Sequence, residues 1–137
     1  MVLLFPWCFL LELIERISKS LQDVDGVEFA ILFGSHARGT NHKFSDIDIG
    51  VYLSKKVSLR QLLRYLPILK KPIDLKILND TPPLFRLKVL REGKILFVKD
   101  ENILKNFIYN TLVEALEYRE TYEKILRIFS RRVLYGP

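Results

Sequence analysis

The chain has 137 residues, enough to close one hydrophobic core and too few for two. Apolar residues make up 49% and charged residues 28%, a globular balance that excludes an intrinsically disordered chain. Lys and Arg outnumber Asp and Glu by 22 to 16; the resulting +6 favours anionic partners without singling out nucleic acid.

The run Met1 to Ile14 is strongly apolar but has no basic leader and contains Pro6. Glu12, Glu15 and Arg16 arrive before the roughly 20 apolar residues of a membrane span are complete. It is expected to be the buried or partner-covered start of a helix. Cys8 is the single cysteine, which excludes an intrachain disulfide and fits a reducing cytoplasm. Leu10, Leu13, Ile14, Ile17 and Leu21 recur at helical spacing, so the first helix runs to about Gln22, where Asp23-Val24-Asp25-Gly26 breaks it.

Val27 to Phe33 is a near-continuous run of β-prone apolar residues and reads as a buried strand. Gly34-Ser35 ends it, and a polar loop is predicted to Ser45. Asp46 to Leu53 reads as a second strand. Ser58 has the chemistry of a helix N-cap, and Leu59, Leu62, Leu63 and Leu66 give that helix an apolar face. Pro72 to Leu78 is a third strand, with Ile73, Leu75 and Ile77 alternating against Asp74 and Lys76. Thr81-Pro82-Pro83 opens a helix that closes near Gly93, and Lys94 to Val98 is a short fourth strand. From Glu101 to about Val133 the pattern is helical, its stripe running from Ile103 and Phe107 through Leu112 and Leu116 to Ile125, Leu126 and Phe129. The polar middle, Glu114 to Glu123, is expected to be a break or an exposed hinge. Interleaved helices and strands of this kind predict an α/β or α+β fold around one mixed sheet of about four strands.

Three features carry chemistry. Side chains alternate along a strand, so Asp46 and Asp48 project one way while Ile47 and Ile49 enter the core. Their Cα atoms are then roughly 7 Å apart, a spacing from which carboxylates can converge on two divalent ions about 3.5–4 Å apart. Hard oxygen donors select Mg²⁺ or Mn²⁺. Placing two like charges at the end of an apolar strand is costly, which argues for a purpose. Asp74 is either a third carboxylate, able to share a metal and accept a proton, or an edge charge paired with Lys76 or Lys71. Gly34-Ser35 is a turn whose backbone N–H groups and hydroxyl can approach a phosphate. Arg38 is either a charge-assisted donor to the same phosphates or a solvated loop residue.

The stretch Leu32-Phe33-Gly34-Ser35-His36-Ala37-Arg38-Gly39, followed by Ser45-Asp46-Ile47-Asp48-Ile49, resembles the signature of the DNA polymerase β-like nucleotidyltransferase superfamily. In that signature Gly-Ser and Asp-x-Asp are separated by ten residues, as His36 to Ser45 separate them here. The superfamily's third aspartate, on a later strand, corresponds to Asp74. The short length is similar to the MNT group of minimal nucleotidyltransferases, many of them antitoxins paired with HEPN ribonuclease toxins. The resemblance covers Val27 to about Asp100 well, and the helical region from 101 to 133 only loosely. It implies a single nucleotidyltransferase domain that uses ATP and two Mg²⁺ ions to transfer AMP to a hydroxyl, which in the antitoxins is a tyrosine of the toxin. Asp46, Asp48 and Asp74 would be the metal ligands and catalytic acids; Gly34, Ser35 and Arg38 would bind the nucleotide. The superfamily commonly has arginine after Gly-Ser, where this chain has His36.

His36 is expected to contact a phosphate or to brace the turn, and His42 to be solvated. Neither has a histidine or cysteine at zinc-ligand spacing, and no Walker-type or dinucleotide-binding glycine pattern occurs. Two other function classes compete. One is a non-catalytic antitoxin that neutralises its partner by covering it, using Leu3, Leu4, Phe5, Trp7 and Phe9 or the long C-terminal helix. The other is a transferase acting on a small molecule such as an antibiotic, whose relatives usually carry a larger second domain. An RNA-tailing enzyme is disfavoured on the same ground of length.

Overall fold

The computed structural model describes residues 5–39, 46–66 and 72–136, with side chains from Leu10 onward in the first helix. The expectations placed on the apolar start, on Cys8, on His42 and on Lys71 lie outside the described residues or side chains. The elements follow in chain order as α1 (Phe5–Gln22), β1 (Val27–Phe33), α2 (Ser35–Arg38), β2 (Ile47–Leu53), α3 (Leu59–Tyr65) and β3 (Ile73–Ile77). A 3-10 turn (Leu78–Asp80) then leads to α4 (Pro83–Glu92), β4 (Lys94–Val98) and α5 (Glu101–Tyr135).

One mixed sheet results, ordered β3-β2-β1-β4. β1 pairs antiparallel with both β2 and β4, whereas β2 and β3 run parallel and are joined by the α3 crossover. β1 lies inside the sheet with helices on both faces, which is why its sequence is apolar at every position but Glu28 rather than alternating. On one face, Leu13, Ile17 and Leu21 of α1 and Leu62 of α3 pack on Ala30, Leu32, Ile47 and Ile49. On the other, Val89 of α4 and Phe107 of α5 meet Phe29, Ile31 and Phe33, with Leu78 closing the edge. α4 and α5 are further joined by Arg86, which lies over the Phe107 ring and pairs with Glu114.

Local chemistry explains the boundaries. Ser58 accepts from the Gln61 N–H while Gln61 accepts from the Ser58 N–H, a reciprocal capping box that starts α3. α3 then buries Leu62 completely and leaves Leu59 and Leu63 exposed, so only part of its predicted apolar face is used. β3 ends one residue before Leu78, and Asn79 takes over the ladder. Its side chain accepts from the Leu53 N–H and donates to the Leu53 carbonyl, at 2.9 and 2.8 Å.

Three expectations change. The chain after Gly34 is not loop throughout, because Ser35–Arg38 forms the one-turn helix α2, ended by Gly39 in the left-handed conformation. β2 and β3 begin at Ile47 and Ile73 rather than at Asp46 and Pro72, the first bond being Ile47 N–H to the Pro72 carbonyl. The Glu114–Glu123 stretch is neither break nor hinge: α5 is continuous for 35 residues. It contains no Gly or Pro, and the Arg119–Glu123 pair at 3.1 Å supports one exposed turn.

Gly93 links α4 to β4 where a Cβ would stand 2.4 Å from both Ile31 Cγ2 and the Val89 carbonyl oxygen. Gly93→Ala should therefore destabilise the fold by about 1–3 kcal/mol, as overpacking does, read as a lowered urea midpoint with an unchanged slope.

Candidate active site

The chemistry-bearing side chains gather at one end of the sheet, on the face that α4 and α5 share. In the β1–β2 pairing Asp48 lies opposite Phe33, the last residue of β1. In the parallel β2–β3 pairing Asp48 lies beside Asp74. Residues paired directly across neighbouring strands project from the same face, so the two carboxylates stand side by side. Ile47 and Ile49, which project the other way, are fully buried against α1 and α3. Asp46 is exposed and immediately precedes β2.

The turn after β1 comes directly against this pair. Gly34 has φ 73° and ψ −153°, a backbone region that L side chains rarely adopt. A Cβ at that position would lie 2.2 Å from Asp48 Oδ2. The absence of a side chain thus lets the backbone touch the carboxylate and then turn at once into α2. The Arg38 N–H returns to the Gly34 carbonyl at 3.1 Å. Helix geometry leaves the N–H groups of a first turn without intrahelical acceptors, so the Ser35 end of α2 presents donors beside the acids.

Burial and the charges of Asp74 and Asp46 push the Asp48 carboxyl above its ordinary value, partly offset by His36 and Lys76. His36 is itself buried within α2. Asp74 lies 3.6 Å from the Lys76 ammonium, so the ion pair foreseen as its alternative does form, while its register beside Asp48 is kept. Arg38 reaches Glu92 at the end of α4, 3.3 Å away. This contact spans 54 residues of sequence and had no local signal.

Carboxylate oxygens are the donors a hard divalent cation takes, and Asp48 feels the charges of both Asp74 and Asp46. Burial first, and then the charges of Asp74 and Asp46, disfavour the ionised Asp48, and a nearby cation would offset both. Among the described residues no group of three or more acid, histidine or cysteine side chains is gathered so as to hold a metal ion. None of the described helices is long and apolar enough to cross a membrane.

Comparison with known proteins follows the geometry. Residues 15–102 match the family model described as polymerase beta, nucleotidyltransferase. A Methanocaldococcus jannaschii relative named as a protein adenylyltransferase is 37% identical over 72 residues, covering 50% of this chain and 77% of that protein. Among solved structures, a chain of a toxin–antitoxin crystallised with AMP-PNP superposes with a TM-score of 0.73 at 24% identity, over 85% of this chain and 98% of that one. A chain from the Shewanella oneidensis complex of a tri-AMPylated HEPN toxin with an MNT antitoxin gives 0.68 at 22% identity, over 87% and 98%. At these identities the structural matches establish the same mixed-sheet fold with its C-terminal helix.

Asp48→Asn should stabilise the metal-free protein at neutral pH. The raised pKa means that the folded state is favoured below the usual carboxylate value of 3.8 and penalised as pH rises through the shifted one. The thermal midpoint of the variant should exceed that of the native chain at pH 7, and the gap should close as pH falls towards 4.

Proposed function

The chain belongs to the polymerase beta nucleotidyltransferase family, and from that premise we propose that it transfers AMP from ATP to a hydroxyl of a partner protein. The acceptor is a tyrosine of a HEPN-type ribonuclease toxin, and the chain serves as the antitoxin of the pair in the cytoplasm. Support comes from the relative named as a protein adenylyltransferase, and from structural neighbours crystallised with AMP-PNP or with an AMPylated HEPN toxin. The observation that carries the reading is the contact of the bare Gly34 backbone with Asp48, itself in register with Asp74. It joins a turn suited to phosphate oxygens to a carboxylate pair suited to cations.

In the proposed reaction the acceptor oxygen attacks the α-phosphorus. A new O–P bond forms there, the bond from the α-phosphorus to the α–β bridging oxygen breaks, and pyrophosphate leaves. Gly34 and Ser35 hold the β- and γ-phosphates through backbone N–H groups and the serine hydroxyl, orienting the triphosphate for in-line displacement. Asp74 accepts the proton of the attacking hydroxyl after releasing Lys76. Arg38 exchanges Glu92 for a phosphate oxygen as ATP arrives. Asp46, Asp48 and Asp74 would hold Mg²⁺, which when bound supplies charge neutralisation to the triphosphate and its leaving group.

The test uses ATP labelled at the α-phosphate, Mg²⁺ and a candidate HEPN protein. Label should appear on a toxin tyrosine, and Asp48→Ala or Gly34→Ala should reduce the rate by on the order of 100- to 1000-fold. Equal transfer by Asp48→Ala would remove the proposed site. Neutralisation of the toxin in cells by an Asp46→Ala/Asp48→Ala double variant would show that coverage, not chemistry, disarms it.

A further inference from the structure

The buried stripe of α5 continues past the body of the protein. Phe107, Thr111 and Ala115 are buried at four-residue intervals on the face that meets α4 and the sheet. At 3.6 residues per turn, Tyr118, Tyr122, Ile125, Leu126, Phe129 and Val133 prolong that same face. All six are exposed, from 46% for Leu126 to 79% for Val133. About 20 residues of helix, roughly 30 Å, thus carry a core-like stripe into solvent.

The charges along this half are sorted by sign. Glu114, Glu117, Glu120 and Glu123 come first, with Arg119 the one cation among them. Lys124, Arg127, Arg131 and Arg132 follow, with no acid from 124 to 135. A segment that is acidic in its first part and basic in its second complements a reversed copy of itself. Two such helices also oppose their dipoles. A two-fold axis supplies both charge matches at once, whereas an unrelated partner would have to reproduce the inverted pattern. The four glutamates likewise disfavour a polyanion along the whole stripe.

We propose that this half of α5 pairs antiparallel with the same half of a second copy, about an axis between Ile125 and Leu126. In that register Tyr118 meets the second copy's Val133, Tyr122 meets its Phe129, and Ile125 meets its Leu126. At the flanks Glu117 faces the second copy's Arg132, and Glu123 faces its Arg127. The register also brings the second copy's last helical turn to an apolar groove of about 220 Å³ between α4 and α5. Leu84, Leu87, Leu112, Leu116 and the stacked Tyr118–Tyr122 pair line this groove. Stripe and groove are then covered by one symmetric contact, independent of the nucleotide chemistry.

Sedimentation equilibrium of the full chain, without any partner protein, should give twice 16.1 kDa with reversible dissociation on dilution. Ile125→Glu/Phe129→Glu should raise the dissociation constant by about 100-fold or more. Both side chains are exposed in the isolated chain, so its circular dichroism should be kept. In a Cys8→Ser background, Ile125→Cys should cross-link to itself on oxidation. Tyr118→Cys should cross-link only when mixed with Val133→Cys. A chain that stays monomeric at every concentration overturns the proposal, including one whose distal helix is covered only by an acceptor protein. So does a dimer that survives the double glutamate substitution, or self-cross-linking of Tyr118→Cys, which would mean parallel helices. Adenylyl transfer by the double glutamate variant, assayed in parallel, reports on the acidic site alone and separates failure of one reading from failure of the other.

Discussion

Everything at the acidic end of the sheet depends on a backbone–carboxylate approach that only glycine permits. β1 and β2 are antiparallel neighbours, so the chain leaving β1 at Phe33 passes the point where β2 presents Asp48. Any side chain on residue 34 would occupy the space of the Asp48 carboxylate. Its removal lets the chain turn within one residue and start α2 with its N–H groups beside the acid. β2 then links the two halves of the site, antiparallel to the strand that delivers the turn and parallel to the strand that delivers Asp74. The mixed character of the sheet is what brings donors and acceptors of opposite charge preference to one end.

That arrangement is electrostatically uncomfortable, and the surrounding packing tolerates it. Asp48 is partly buried and has two carboxylates near it, both of which oppose its ionisation. The discomfort is held in place by the rigid strands, whose opposite face buries Ile47 and Ile49 completely. Lys76 and His36 soften the repulsion without removing it. Burial and like charge at Asp48 thus cost stability at this end of the sheet.

Much of this was legible in the residues because strand alternation reports faces directly. The sequence Asp46-Ile47-Asp48-Ile49 separates acids from core, and Ile73-Asp74-Leu75 repeats the pattern on a second strand. Periodicity does not say which strands are neighbours, so the Asp48–Asp74 register needed the structure. The shape of the Gly34 bend was equally hidden, since Gly-Ser marks many turns and only the positive φ and the Asp48 contact make this one special. Arg38 read as either a phosphate donor or a solvated loop residue because its partner, Glu92, belongs to a distant helix. The Glu114–Glu123 stretch read as a break or an exposed hinge because a polar run weakens the amphipathic signal. Yet helix continuity requires only the absence of breakers, and burial is a separate matter.

Asn79 has a consequence at the other end of β2. Its single amide supplies both hydrogen bonds that a continued parallel β3 would have made to Leu53 from two flanking residues. Hydrolysis of that amide to a carboxylate would keep the acceptor and delete the donor, turning a negative charge towards the Leu53 carbonyl. Exchange of one NH₂ for one oxygen at this position, remote from the acidic centre, would unfasten the edge of the sheet.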